Sequence, residues 1–448
     1  MGGRPNIVLF LTDDQRFDTI RALTDIPIST PNLDALVRRG TAFTRAHIPG
    51  GTCGAVCMPS RAMLHTGRTL FHIDREGQDI PPEHITLGEC LRAAGYVTHG
   101  IGKWHNGRPV YARSFSGGDE IFFGGMADHW NVPAYHFDPT GEYGARCPVV
   151  ADPSHSNEVT FRACDHITAG RHSTELFVDA AIRFLETAPR SAPFFMSVAL
   201  LAPHDPRTMP ERFRSMVDPE GIALPENFLR EHPIDTGALR IRDERLAAHP
   251  REPVEIRRHI AEYYAMIAHL DHELGRLVAA LQARGVLERT VIVVAGDNGL
   301  AVGQHGLMGK QNLYDHSVRV PLVLAGPGVP SGRRSDALVY LLDLFPTLCA
   351  LAGVEVPPSV DGRNLIPCMT GDCAGGREVL YLAYADSIRG VTDGRHKLIE
   401  YACGATQLFD LSRDPLEMDD LSCRASSGPL LERLRQQVRR LALNNPPR

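Results

Sequence analysis

One cysteine stands where a helix is predicted to begin. Cys57 is followed by Pro59 and Arg61, and an apolar face begins at Met63. Proline suits the first turn of a helix, where its missing N–H costs nothing. The free N–H groups and the positive dipole end of a helix favour an anion at that place. Cys57 is therefore a candidate reactive residue, and the alternative is a buried cysteine beside an ordinary helix.

Two pairs of polar residues, Asp13-Asp14 and Asp297-Asn298, each follow a run of apolar residues. Adjacent carboxylates repel each other unless a cation lies between them. Carboxylate and amide oxygens are hard ligands, which suit Ca²⁺ or Mg²⁺ better than Zn²⁺. The two pairs are candidate ligands of a divalent cation. The alternatives are an ordinary polar loop and a simple turn.

Lysines and histidines in loop segments supply candidate acids, bases and anion-binding groups. Lys103 and His105 follow one predicted strand, His204 follows another, and Lys310 lies in a glycine-containing segment. Proton transfer and the binding of an oxyanion both need such side chains. Taken alone, lysine and histidine in a loop are usually only solvated.

The cysteine segment resembles the signature of the type I sulfatases, a family of the alkaline phosphatase superfamily. The matching string is Cys57-x-Pro-Ser-Arg61, followed by Leu64-x-Thr-Gly-Arg68. In that family the cysteine is converted after translation to Cα-formylglycine, which implies that Cys57 is the modified residue and that Arg61 holds it. Further segments match in family order, and they are Gly102-Lys103-Trp104-His105, Ala202-Pro203-His204, Gly306–Lys310 and Leu408–Leu411.

The resemblance also implies a metal ion and a set of site residues. The ion is usually Ca²⁺ in the family, with Mg²⁺ and Mn²⁺ as alternatives. Its implied ligands are Asp13, Asp14, Asp297, Asn298 and the formylglycine oxygen at Cys57. The implied catalytic residues are Cys57, Arg61, Lys103, His105, His204 and Lys310. The candidate substrate contacts are Lys103, His204 and Lys310, with Arg207 and His305 from the neighbouring loop positions.

The function implied by the resemblance is hydrolysis of a sulfate monoester, either a carbohydrate sulfate or an aryl sulfate. A hydroxyl of a formylglycine hydrate at position 57, polarised by the bound cation, would attack sulfur and displace the alcohol. The aldehyde would then re-form and release inorganic sulfate. The implied partners are this small sulfate ester and a formylglycine-generating maturation enzyme. One alternative is a phosphonate monoester hydrolase or phosphodiesterase of the same superfamily. Another is a metal-stabilised binding protein that keeps Cys57 unmodified.

The elements that must position these residues follow from the apolar pattern. Short apolar runs alternate with amphipathic stretches, which predicts an α/β fold around a mainly parallel sheet flanked by helices. The resemblance to the sulfatases implies that this central sheet is large and arranged as in alkaline phosphatase. The predicted strands are Ile7–Leu11, Val97–Ile101, Phe194–Leu200, Val291–Ala295 and Leu322–Ala325, and the predicted helices are Ser173–Thr187 and Ile260–Leu281. Polar residues follow four of the strands. Ligands of open α/β sheets bind at the carboxyl ends of strands, so we expect the site there.

The chain is predicted to divide into a catalytic domain, residues 1–355, and a smaller α+β subdomain, residues 356–448. The subdomain should contain antiparallel strands near Val379–Tyr384 and Lys397–Tyr401 and a terminal helix near Leu430–Leu443. Residues 205–254 are rich in proline and charge and are predicted to run over the surface as an excursion.

The composition excludes several classes of protein. The 448 residues include 47 Lys and Arg against 53 Asp and Glu, a net charge of −6, so no general binding to nucleic acid or to a membrane surface is expected. Ten cysteines are too few for a disulfide scaffold. The first residues lack a signal-peptide core, which predicts a cytoplasmic protein, or a periplasmic one if a signal has been removed. The sequence does not predict an oligomeric state.

Overall fold

The structure is a computed structural model, and it describes residues 3–73, 75–150, 152, 154–371 and 375–443. The α-helices of these residues, α1 to α11 in chain order, are Pro31–Arg39, Cys57–Thr66, Leu87–Ala93, Arg108–Ser114, Ser173–Thr187, Glu211–Arg214, Pro253–Ala283, Asp315–Val318, Leu344–Ala352, Ile366–Thr370 and Gly428–Leu443. The strands, β1 to β19, are Asn6–Thr12, Thr41–Phe43, Ala46–His47, Gly50–Gly51, Val97–Lys103, Gly117–Phe122, Pro133–Ala134, Arg146–Val150, Val159–Ala163, His166–Ile167, Phe194–Ala199, Thr290–Gly296, Leu322–Ala325, Arg333–Ser335, Val339–Tyr340, Leu380–Tyr384, Ile388–Thr392, His396–Tyr401 and Thr406–Asp410.

The central sheet has eight strands in the order β14-β2-β13-β12-β1-β11-β5-β6. The neighbours from β12 to β6 all pair in parallel. On the other side β13 runs antiparallel to both of its neighbours, and β14 again pairs in parallel with β2. The predicted α/β fold with a mainly parallel sheet is confirmed.

Both faces of the sheet are covered, as the side chains of β1 show. Ile7, Leu9 and Leu11 pack into a core with α2, α3 and α9. Val8 and Phe10 pack into a second core with α1, α5 and α7. Successive side chains of a strand point to opposite faces, so a strand between two helical layers is apolar throughout. This burial explains why the run Ile7–Leu11 predicts the strand correctly.

The other predicted strands agree with the structure to within two residues at either end, and the helix Ser173–Thr187 agrees in full. The long helix α7 begins seven residues before the predicted Ile260. Its start is marked by Pro253 in the first turn, a position that proline favours. The first turns bury few apolar side chains, so their periodicity does not reveal them.

A second sheet of five strands, in the order β19-β18-β17-β16-β4, holds the C-terminal part of the chain. The strands from β16 to β19 form an antiparallel meander, and α11 packs against it. Gly50–Gly51 joins this sheet in parallel with β16, just before the helix that begins at Cys57. The C-terminal sheet is thus paired directly with an N-terminal segment, and the division at residues 355 and 356 stays a prediction.

The prediction of a surface excursion for residues 205–254 is wrong for part of the segment. Arg207, Glu244 and Arg251 are buried, with at most 9% of each residue exposed. Arg251 donates hydrogen bonds to the carbonyl oxygens of Gly306 and Glu244, at 3.0 and 2.8 Å. The segment therefore packs against the loop that precedes Lys310.

No helix in the described ranges combines the length and the apolar character that a membrane span requires. The predicted cytoplasmic location stays a prediction.

Candidate active site

The candidate site lies where four adjacent parallel strands end. Asp13 follows β1, Asp297 follows β12, Lys103 is the last residue of β5, and His204 lies five residues beyond β11. These four strands are neighbours in the order β12-β1-β11-β5. Their carboxyl ends therefore share one edge, and the expected collection of polar residues at that edge is confirmed.

A cluster of buried carboxylates forms the floor of the site. Asp13, Asp14 and Asp297 are at most 2% exposed. The backbone N–H of Asp14 donates to Asp297 Oδ1 at 3.2 Å, and Asn298 Nδ2 donates to Asp14 Oδ1 at 2.6 Å. Asp14 adopts a left-handed backbone conformation, with φ of 66°, that a residue with a side chain rarely adopts.

Two oxygens of this cluster lack a hydrogen-bond partner among the described residues. They are Asp13 Oδ1 and Asn298 Oδ1, and both are buried. One ligand atom each of Asp13, Cys57 and Asp297 lies within 4.8 Å of the others, and the same is true of Asp13, Asp14 and His204. Buried oxygens without donors are costly unless a cation or a donor meets them. Carboxylate and amide oxygens in this arrangement fit a hard divalent cation.

Helix α2 presents Cys57 and Arg61 on one face, because residues four apart share a face of a helix. Arg61 is fully buried, and its Nε lies 2.7 Å from Asp297 Oδ2. Its Nη1 donates to the carbonyl oxygen of Lys103 at 2.8 Å. Arg61 thus fixes the start of α2 against the ends of β12 and β5. Among the described contacts it forms no hydrogen bond to Cys57.

Two lysines and a histidine surround these groups. Lys103 Nζ lies 3.5 Å from Cys57 Sγ and also pairs with Asp13. Lys310 Nζ lies 2.5 Å from Asp14 Oδ1. His105 Nδ1 lies 3.6 Å from Cys57 Sγ. The cysteine sulfur is therefore within reach of both a cation and a ring nitrogen.

His204 closes the site from the side of β11. Its Nδ1 lies 2.8 Å from the carbonyl oxygen of Asp205, to which the N–H can donate. The carboxylates of Asp205 and Asp14 lie 3.4 Å from Nδ1 and 3.6 Å from Nε2. The two carboxylates can pair with the ring when it carries a positive charge.

Burial and charge shift the pKa values of the site. Burial raises the pKa of the Cys57 thiol to about 11, although Lys103 and Lys310 oppose this. Burial, with the charges of Lys103 and Arg61, lowers the pKa of His105 to about 2. Near neutral pH the cysteine is a thiol, and His105 is an uncharged imidazole that can accept a proton.

The carboxylates are shifted in opposite directions. Burial raises the pKa of Asp297 to about 6, and the neighbouring charge of Asp13 adds to this. Burial also acts to raise the pKa of Asp13, but the nearby cations, Lys103 first among them, outweigh it and hold this pKa well below its usual range. The pKa values of two neighbouring carboxyl groups move apart in this way because the repulsion of like charges disfavours ionisation of both.

Two of the candidate substrate contacts, Arg207 and His305, contact side chains outside the lining of the cavity at Cys57. The guanidinium of Arg207 lies 2.9 Å from His259 Nδ1, and burial lowers its pKa. His305 stacks on Tyr314, with ring centroids 4.0 Å apart, and packs against Asn227. Neither is among the described residues that line the cavity at Cys57. A substrate contact for either stays a prediction.

The cavity at Cys57 has a volume of about 260 Å³. Its lining includes His105, His204 and Lys310, and also Arg242 and Asp243 from the segment 205–254. Sequence reasoning missed Arg242 and Asp243. They lie in a charged, proline-containing stretch that resembles a solvated loop, and only the fold brings them to the site.

Comparison with known proteins agrees with this architecture. The model of the Sulfatase family matches residues 5–354, and the model of the N-sulphoglucosamine sulphohydrolase C-terminal region matches residues 303–444. An arylsulfatase of Clostridium perfringens is 27% identical, over 93% of this chain and 90% of the relative. An N-acetylglucosamine-6-O-sulfatase of Bacteroides thetaiotaomicron is 25% identical, over 97% and 85%. The solved phosphonate monoester hydrolase of Agrobacterium radiobacter superposes with a TM-score of 0.78 at 23% identity, over 99% and 96%.

The solved structure shares the fold of this chain, a large and mainly parallel sheet with the site at its strand ends. Because the family model covers residues 5–354, the chain belongs to the sulfatase family, within the alkaline phosphatase superfamily, and it is a sulfuric ester hydrolase. The predicted family and enzyme class are confirmed, so the alternative of a binding protein without activity is set aside. Members of this family generally use formylglycine and a metal ion, and the buried carboxylates form a suitable metal-binding cluster.

Proposed function

We propose that this enzyme hydrolyses sulfate monoesters of carbohydrates or aryl alcohols, with Cys57 matured to formylglycine and a divalent cation, Ca²⁺ first, bound beside it. The single observation that carries the proposal is the position of Cys57. Its sulfur lies 3.5 Å from Lys103 Nζ and 3.6 Å from His105 Nδ1, at the start of α2. A reacting group at that point is surrounded by anion-binding groups and a proton acceptor.

The raised pKa of Cys57, about 11, argues against the unmodified thiol as the nucleophile, because little thiolate exists near neutral pH. Hydrated formylglycine supplies a hydroxyl nucleophile at this place, and a bound cation supplies Lewis-acid polarisation. The residues that would hold the cation are Asp13, Asp14, Asp297 and Asn298, with the side-chain oxygen of the matured residue 57. The partnerless oxygens of Asp13 and Asn298 support this assignment. A maturation enzyme is the partner this chemistry requires.

The remaining roles follow from the geometry of the side chains. Lys103 and Lys310 bind the sulfate oxygens, because Lys103 Nζ lies 3.5 Å from Cys57 Sγ and Lys310 lines the cavity at Cys57. His105 accepts a proton at Nδ1 from the group at position 57. His204, held at Nδ1 by Asp205, donates a proton from Nε2 to the departing alcohol. Arg61 positions α2 through Asp297 and the carbonyl of Lys103.

Mass spectrometry of the tryptic peptide Ala46–Arg61 tests the proposal on protein expressed with a maturation enzyme. The peptide contains Cys53 and Cys57, and only Cys57 lies at the start of α2. The Cys53→Ala variant is the matched control. We expect its peptide to have the mass of formylglycine in place of cysteine at position 57, and we expect the variant to hydrolyse 4-nitrophenyl sulfate. Cys57→Ala is expected to be inactive. An intact thiol at Cys57 in an active enzyme would refute the proposal.

The alternative function, hydrolysis of a phosphonate monoester or a phosphodiester, would use the same site. Sulfate monoesters and phosphonate monoesters each carry one negative charge, so the lysines serve either. We expect kcat/KM to be higher for 4-nitrophenyl sulfate than for 4-nitrophenyl phenylphosphonate. The reverse order would establish the alternative.

A further inference from the structure

The cavity that contains the nucleophile is small for a substrate. Its volume is about 260 Å³, and its walls include Cys57, His105, His204 and Lys310. Ligand sites usually measure about 300–1,000 Å³. The cavity accommodates the sulfate group, but it is too small for a sulfated disaccharide, so part of such a substrate must lie beyond it.

A second cavity, of about 700 Å³, adjoins the first. His105 and Gly125 line both of them. A Cβ atom at residue 125 would lie 2.9 Å from His105 Nε2, so a larger residue would press against the ring at this junction. We call the second cavity the side cleft. Its size suits a sugar unit attached to the group in the first cavity.

Two arginines give the side cleft its charge. Arg108 and Arg162 both line it. Across the described ranges no carboxylate forms an ion pair with either guanidinium, although Asp79 also lines the cleft. Arg162 lies on the exposed strand β9, where its side chain is accessible to solvent.

Arg108 is held in place without neutralisation of its charge. It donates to Tyr135 Oη at 3.0 Å and to the carbonyl oxygen of Tyr143 at 3.1 Å. Its guanidinium also lies over the rings of Phe123 and Tyr135, at 5.8 and 5.3 Å. All of these partners are uncharged, so the rigid guanidinium keeps donors and a full positive charge for an anion.

We propose that the side cleft binds a second anionic group, a sulfate or a carboxylate, on a saccharide whose scissile sulfate ester lies at Cys57. The inference rests on the proposed function and narrows its substrate class to saccharides with more than one anionic group. Arginine matches both oxyanions, because its planar fork can bind two oxygens at once. Phe123 also lines the side cleft and provides apolar surface that the sugar can contact.

The test compares kcat/KM for 4-nitrophenyl sulfate, a neutral sugar monosulfate, a disulfated disaccharide and a uronate-containing monosulfated disaccharide. The variants are Arg108→Gln, Arg162→Gln and the double variant. Arg146→Gln is the matched control, because Arg146 lies on the same hairpin but outside the lining of the side cleft. We expect the double variant to lower kcat/KM for a doubly anionic disaccharide, relative to the aryl sulfate, about tenfold or more.

The anion that shows the larger loss identifies the group the cleft prefers. An equal loss for neutral and anionic sugars, or a ratio that the double variant leaves unchanged, would overturn the side-cleft assignment. Failure of the matured wild type to hydrolyse any sulfate ester would instead overturn the proposed function.

A measurement of binding tests the side-cleft assignment independently of turnover. The Kd of the disulfated disaccharide for the Cys57→Ala protein is measured by titration calorimetry. We expect this Kd to rise about tenfold when Arg162→Gln is added. Arg162 is exposed, so its substitution does not threaten folding. Equal affinity with and without Arg162 would also overturn the assignment.

Discussion

Replacing Glu244 by alanine tests how a buried ion pair positions one lysine of the site. Glu244 is 6% exposed and pairs with Arg251, which is 1% exposed. Its carboxylate also accepts the backbone N–H groups of Met308 and Gly309, each at 2.9 Å. Lys310 follows directly, so Glu244 anchors the loop that carries it.

The expected magnitude follows from these contacts. Removing one partner of a buried ion pair costs about 3–5 kcal/mol, because the other charge stays buried without compensation. Two backbone donors also lose their acceptor, at about 1–3 kcal/mol each if they stay buried. Relaxation of the loop exposes all of these groups together, so the costs overlap. We expect Glu244→Ala to lower the free energy of unfolding by about 3–5 kcal/mol and to lower kcat/KM, because Lys310 loses its fixed position.

Urea unfolding and turnover of 4-nitrophenyl sulfate measure the two effects. Glu252→Ala is the matched control: Glu252 pairs with Arg230, and their side chains are 55% and 57% exposed. An exposed pair of this kind contributes about 0–1 kcal/mol. If the two variants unfold with free energies within about 1 kcal/mol of each other, the argument from the buried pair is wrong.

Three further changes test the site and the buried histidines. Asp297→Ala is expected to lose the bound cation, because it removes one of three clustered carboxylates; unchanged calcium in elemental analysis would contradict the ligand assignment. His105→Ala is expected to lower kcat by about 10²–10⁴-fold with an unchanged circular dichroism spectrum; turnover at the wild-type rate would exclude its role as proton acceptor. Burial lowers the pKa of His99 to about 4, below its value of about 6.5 in the unfolded chain. The unfolded state then binds more protons, so stability falls by up to about 1.4 kcal/mol per pH unit as pH drops through this window. His99→Phe removes this group, so the free energy of unfolding, measured in urea, should differ less between pH 5 and pH 7 than in the wild type. An equal difference in the two proteins would contradict the prediction.

The parts of the fold that the sequence predicts are those encoded locally. A strand buried on both faces must be apolar throughout, so Ile7–Leu11 and Leu322–Ala325 are visible as runs. Polar residues directly after such runs, such as Asp13 and Asp297, mark the edge that carries the site. The order of the strands is not local, because it depends on which helices cover which face.

The residues that sequence reasoning misses owe their role to contacts distant in the chain. Glu244 and Arg251 lie in a charged segment rich in proline, and nothing in that segment distinguishes a buried pair from a solvated one. Their burial comes from the loop before Lys310, about sixty residues away. Gly50–Gly51 pairs with a strand more than 330 residues later, for which two glycines give no sign.

The balance of charge at the site links the cation to the substrate. Next to Cys57 and the metal-binding cluster lie three buried carboxylates and three buried cations: Asp13, Asp14, Asp297, Arg61, Lys103 and Lys310. By themselves these charges cancel, and each lysine pairs with a carboxylate. Under the proposed function a divalent cation would act as the counter-ion of those carboxylates in place of the lysines. These six side chains and the cation would together carry an excess of two positive charges. In a buried site this excess strongly favours an anionic ester, and the ammonium groups are the ones free to bind its oxygens.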